Sequence, residues 1–104
     1  MEYNIIITAA AREDLDEILA YMTVSLKNPS AAAAFASEVT SCYNNLKNLP
    51  FMYRKCSRPH LRAQGYRKAV IGNYIMVYRV CEAEETVYIS RFFYGRRNHY
   101  EDLI

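Results

Sequence analysis

The chain has 104 residues, 52% hydrophobic and 13% aromatic, with 13 Lys and Arg against 11 Asp and Glu. That length fits one domain, and that apolar content excludes intrinsic disorder. The longest apolar runs, Ile5-Ile6-Ile7 and residues 31–36, fall far short of the roughly 18 residues that cross a membrane. Met1-Glu2-Tyr3-Asn4 lacks the basic start of a secretory leader, so a cytoplasmic protein with no membrane partner is expected.

Residues 3–8 are few and rich in β-branched side chains, which predicts a first strand. From Ala9 the period changes: Leu15, Ile18, Leu19 and Met22 recur at helical spacing. Glu13, Asp14 and Glu17 cluster early, where a helix dipole favours negative charge, and a helix over 9–25 follows. Asn28-Pro29-Ser30 signals a second start with Ser30 as cap. Ala32, Phe35, Ala36, Val39, Cys42, Tyr43, Leu46 and Leu49 then hold the three-or-four spacing as far as Pro50, so the two helices should form an antiparallel hairpin.

Residues 51–65 show no sustained period, and Pro59, several basic residues and Gly65 predict an exposed connection, with His60 a solvated loop histidine. Tyr66–Ile71 and Tyr74–Cys81 are extended runs joined by Gly72-Asn73, which suits a two-residue hairpin turn. Glu82-Ala83-Glu84-Glu85 makes another turn before Thr86–Tyr94. Simple alternation there puts Val87, Ile89, Arg91 and Phe93 on one face and Tyr88, Ser90, Phe92 and Tyr94 on the other; both are largely apolar, as in a central strand. Gly95 ends it, and residues 96–104 are expected as a short helix or an irregular tail. The order β-α-α-β-β-β is an α+β fold in which a helical hairpin packs on a mainly antiparallel, twisted sheet.

Charge is divided unevenly. Residues 1–50 hold three basic and six acidic side chains, residues 51–104 ten basic and five acidic. Arg54, Lys55, Arg58, Arg62, Arg67, Lys68 and Arg79 follow one another with no Asp or Glu before Glu82, so the second half suits an anionic or acidic partner. Most of the ten tyrosines also fall there; aromatics among arginines suit base stacking and equally suit a core or a protein interface.

Enzyme motifs of high specificity are missing: the sequence has no Walker-type loop, no dinucleotide fingerprint, no H-E-x-x-H and no G-x-S-x-G, so neither a cofactor nor a small-molecule substrate is expected. Cys42, Cys56 and Cys81 are odd in number and widely spaced, which favours reduced structural thiols over a metal site. Glu13 and Glu17 read as a solvated helix face. The run Arg91-Phe92-Phe93-Tyr94-Gly95-Arg96-Arg97-Asn98-His99-Tyr100 is the most informative. Released together after a strand, its cations, imidazole and phenol could surround one phosphate, as metal-independent RNA cleavage requires; a basic tail that binds an acidic partner is the plainer reading.

Ala11-Arg12-Glu13-Asp14-Leu15 with Ile18 and Tyr21, Asn28-Pro29-Ser30-Ala31-Ala32 with Phe35, Leu49-Pro50, Tyr66-Arg67, Tyr78-Arg79-Val80 and Tyr94-Gly95-Arg96-Arg97-Asn98 resemble, in order and spacing, the ParE/RelE superfamily of bacterial toxins. The resemblance spans nearly the whole chain. It implies the toxin of a type II toxin–antitoxin pair of the plasmid-stabilisation type, neutralised by a cognate antitoxin. RelE-like members cut messenger RNA on the ribosome, whereas ParE-like members poison DNA gyrase. In the nuclease branch the strand after the Gly-Asn turn resembles Tyr-Arg-Leu-Val-Tyr; here it reads Tyr74-Ile75-Met76-Val77-Tyr78, with Ile75 at the arginine position. Losing a preorganised cation there should cost about 3–4 kcal/mol of transition-state stabilisation. The resemblance therefore implies a ParE-like gyrase inhibitor, with Arg67, Lys68, Arg79, Arg91, Arg96, Arg97 and Tyr100 as target-binding residues. Its alternative is a ribosome-dependent endoribonuclease that uses Arg67, Arg97, His99 and Tyr100.

Overall fold

Thr8 turns the chain from its first strand into its first helix. The computed structural model describes residues 2–97 and 99–104; Met1 and Asn98, both part of runs quoted above, lie outside them. Strand β1 (Asn4–Ile7) ends where the Thr8 hydroxyl accepts the Ala11 amide at 3.2 Å, capping helix α1 (Ala9–Ala20), and donates to the Ile89 carbonyl at 2.8 Å. Beyond Ala20 the helix widens into a π-helical turn (Tyr21–Ser25), with the Leu26 amide reaching back to the Tyr21 carbonyl. The predicted stretch 9–25 is thus helical throughout but changes pitch near its end.

Helix α2 (Pro29–Asn48) begins two residues earlier than its sequence suggests. Asn28, not Ser30, is the cap: its side chain accepts the Ala31 amide at 3.1 Å. Pro29 takes the first helical turn, where no carbonyl waits for its missing N–H. Ala32, Phe35, Val39, Cys42 and Leu46 are buried along one stripe, the face that covers the sheet.

Five strands form that sheet, in the order β1-β5-β4-β3-β2, with β2 (Arg54–Lys55), β3 (Tyr66–Ile71), β4 (Tyr74–Cys81) and β5 (Thr86–Tyr94). Every pairing is antiparallel except β1 with β5. The β3–β4 hairpin turns at Gly72-Asn73 as expected, with Ile71 opposite Tyr74 and Gly72 at φ +58°. Strand β5 is central, between β1 and β4.

Two further expectations fail. Residues 51–65 are not only an exposed connection: they add the two-residue strand β2 and the short helix α3 (Pro59–Ala63), and they bury Cys56 and Leu61. A strand of two residues has no period to read, and α3 is barely one turn long. The alternation of β5 also breaks, because Val77 pairs with Arg91 while Tyr78 pairs with Ile89, which leaves Ser90 as an extra residue in a bulge. Val87, Ile89 and Phe92 therefore face the helices, and Phe93 faces the other side.

The sheet thus carries a core on each face. Beneath the helices lie Ala69, Ile71, Met76, Tyr78, Val80, Val87, Ile89 and Phe92. On the opposite face Cys56, Leu61, Ile75, Val77 and Phe93 form a smaller cluster, closed by Tyr66, Tyr100 and Ile104. The last two come from a C-terminal segment that ends in a 3-10 turn (Tyr100–Leu103).

Candidate functional site

Strand β3 distributes the central basic residues, because neighbours on a strand point to opposite faces. Arg67 faces the helices. Its guanidinium donates to the carbonyls of Tyr53 at 2.7 Å and Phe51 at 3.1 Å and lies 5.1 Å from the Phe51 ring, so it pins the turn that leads into β2. The fully buried Tyr78 opposite supports the same turn by donating to the Pro50 carbonyl at 3.2 Å, and burial holds its phenol well above the ordinary range.

Lys68 faces the other way and meets the C-terminal segment. Its ammonium donates to Glu101 Oε2 at 3.1 Å and to Ser57 Oγ at 3.3 Å, and lies 5.5 Å from the Tyr100 ring centroid. The Glu101 carboxylate also accepts the backbone amides of Ser57 at 3.0 Å and Arg58 at 2.8 Å, so a residue only 6% exposed has three donors. Burial alone would raise the Glu101 pKa, but the two amides and Lys68 outweigh it and the net shift is downward. For Lys68, burial works downward, and its bonds and charge contacts with Tyr100 and Glu101 carry it above the usual lysine value.

Around this pair lies a shallow cavity of about 330 Å³ lined by Ser57, Arg58, Lys68, Arg97, His99 and Tyr100. Arg97 is exposed, with its amide bonded to the Tyr94 carbonyl. The His99 side chain is 75% exposed, stands at φ +57°, and has Nδ1 3.9 Å from Asp102. Tyr100 packs on Phe93 with ring centroids 5.6 Å apart. Arg58 and Asp102 add an exposed ion pair at 3.0 Å.

The other predicted residues lie elsewhere. Arg91 is engaged by Asp14 of α1, its Nε 2.7 Å from Oδ2 and its Nη2 3.2 Å from Oδ1. Arg79 stacks over Tyr88 at 4.9 Å, and Tyr88 donates to Glu84. Arg96 is exposed beside Arg97. The structure therefore gathers Lys68, Arg97, His99 and Tyr100 and keeps Arg67 on the far side of the sheet. Ile75, at the position discussed above, is 9% exposed within the smaller core. Sequence reasoning missed Glu101; its only signal is that Glu101-Asp102 returns acid to a stretch that carries none after Glu85.

A second feature lies at the far end of the hairpin. Tyr21, Met22, Leu26, Asn73, Tyr74 and Tyr94 line an aromatic cavity of about 580 Å³. Tyr21, Val24 and Leu26 are each more than half exposed, a cluster of apolar side chains of the kind that marks interaction sites. Among the described residues, no group of His, Cys, Asp and Glu is placed to hold a metal ion, and no helix is long and apolar enough to cross a membrane.

Residues 5–99 match a family model described as the ParE toxin of the type II toxin–antitoxin system, parDE. No curated protein sequence matches the chain. Among solved structures, the fold is similar to the toxin–antitoxin complex RelBE2 from Mycobacterium tuberculosis, at 24% identity and a TM-score of 0.63, covering 90% of this chain and 99% of that one. It is also similar to the chromosomal ParDE system from P. aeruginosa, at 20% identity and a TM-score of 0.70, covering 89% and 96%.

Proposed function

The chain belongs to the ParE toxin family of type II toxin–antitoxin systems, and on that footing we propose that it arrests growth in the cytoplasm by binding DNA gyrase rather than by cutting RNA. The observation that carries this reading is the position of Arg67. A nuclease centre needs its cations, acid and base around one phosphate, yet Arg67 is bound to the Phe51 and Tyr53 carbonyls on the opposite side of the sheet from Lys68, His99 and Tyr100. Ile75 supplies no cation either. The exposed Arg96, Arg97 and His99 instead form a basic surface for docking on a partner.

A cognate antitoxin neutralises the protein in this reading. Its place is the aromatic cavity of Tyr21, Leu26, Tyr74 and Tyr94, whose exposed apolar lining suits a segment with apolar anchors. The role fits plasmid stabilisation and needs no cofactor.

Purified protein added to gyrase and plasmid tests the reading. Relaxed or cleaved plasmid is the expected result, and unaltered supercoiling at saturating protein overturns it. The ribosome-dependent nuclease remains the second reading, because Lys68, Arg97, His99 and Tyr100 do share a cavity. Codon-phased message cleavage in expressing cells, with normal plasmid topology, would establish it.

A further inference from the structure

The C-terminal segment has two unlike sides. Inward, Tyr100 lies against Phe93, Ile104 joins the smaller core, and the Glu101 carboxylate is held by Ser57, Arg58 and Lys68. Outward, it presents Arg97, His99, Asp102 and the 47% exposed Leu103. A cover for the apolar cluster needs only the ring of Tyr100 and the side chain of Ile104. A buried carboxylate is costly unless every lone pair finds a donor, and in return it admits a single register. Its donors come from β3 and from the stretch entering α3, so the segment is tied at once to two elements that are themselves fixed in the fold.

From this geometry we infer that Glu101 is a positioning residue: it holds the C-terminal segment in one register and so fixes where Arg97 and His99 meet the target. The inference rests on the gyrase reading and goes further, naming the residue that sets the geometry of that docking surface. The closed arrangement is the working one, because lifting the segment would expose Ile75, Val77 and Phe93, all now buried. Loosening Glu101 therefore weakens inhibition rather than releasing it.

Supercoiling inhibition and amide exchange of the full chain test this with Glu101→Ala, Glu101→Gln, Arg97→Ala and the double Glu101→Ala/Arg97→Ala. For Glu101→Ala, exchange should rise across residues 99–104 and stay unchanged in β4 and β5, and half-inhibition should need about tenfold more protein, the penalty of ordering a docking segment on binding. Glu101→Gln keeps one acceptor oxygen, enough for the Ser57 or the Arg58 amide but not for both, and should recover part of both losses. Arg97→Ala should weaken the wild-type protein but cost little more once Glu101 is gone, a non-additivity that general destabilisation would not produce. Unchanged or stronger inhibition by Glu101→Ala, or simple additivity with Arg97→Ala, overturns the inference and leaves the gyrase reading standing. If wild-type protein does not inhibit gyrase, that reading fails by itself, and exchange decides whether Glu101 orders the segment: equal protection in Glu101→Ala overturns it.

Discussion

Asp14 and Arg91 meet 2.7 Å apart at the point where β1 ends and the edge of β5 is left open. The Asp14 carboxylate also accepts the Phe92 amide at 3.0 Å, so a side chain of α1 takes the place that a strand would fill. Asp14→Ala should cost about 2 kcal/mol by leaving that amide and the guanidinium without their partner. A fall in melting temperature of about 10 °C would be the sign of it. Asp14→Asn, which keeps an acceptor for the amide, should lose less. Arg91→Ala should likewise lower stability more than target affinity, the reverse of what Arg97→Ala should do.

Lys68 and Glu101 make stability depend on pH at both ends. The Glu101 pKa is below its ordinary 4.5 in the folded chain, so its contribution is complete above about that pH and disappears as pH falls through the depressed value. The Lys68 pKa is above 10.5, so its contribution is complete below that pH and disappears as pH rises through the raised value. Thermal melts of the wild type and Glu101→Gln should therefore differ most across the neutral range and converge in acid. A difference that stays constant down to the acid limb would show that the ion pair adds nothing.

Gly65 stands at φ +88°, and a Cβ there would lie 2.8 Å from the Val80 carbonyl oxygen. The neighbour is backbone and has no room to yield. Gly65→Ala should cost about 2 kcal/mol, from the left-handed backbone and the clash together. Denaturant unfolding measures it; an unchanged midpoint would contradict the geometry.

Restoring an arginine at position 75 should not create a nuclease. Ile75 packs with Val77 and Phe93 beneath the C-terminal segment, so Ile75→Arg forces a charge into an apolar cluster at a cost of about 3 kcal/mol. Its expected outcome is lower stability with messages intact in expressing cells. Codon-phased cleavage by that variant would mean that one cation had been all the centre lacked.

The helical hairpin and the Gly72-Asn73 turn were legible because each rests on a local rule: the stripe from Ala32 to Leu46 repeats every three or four residues, and the turn leaves Ile71 facing Tyr74. The bulge at Ser90 was not, since it depends on how β5 pairs with β4 and on nothing in its own composition. Strand β2 was missed for a similar reason: Arg54 and Lys55 become a strand only by lying against Lys68 and Arg67. In the candidate site, the exposed cluster after Gly95 was readable as charge. The faces of Arg67 and Lys68 were not, because strand parity assigns them only once the sheet's two cores are known. Glu101 was hidden for want of any local pattern, its partners lying 33 to 44 residues away in the sequence.

Pairing β1 with β5 places Asn4 beside Thr86, 82 positions later in the chain. At roughly 5–20 residues per second, a ribosome needs on the order of 4–16 s to make that partner after it has made the first strand. During this interval Ile5, Ile6 and Ile7 have no sheet to join. The sheet of each molecule therefore cannot close until its last strand has been made, however early its first one appears.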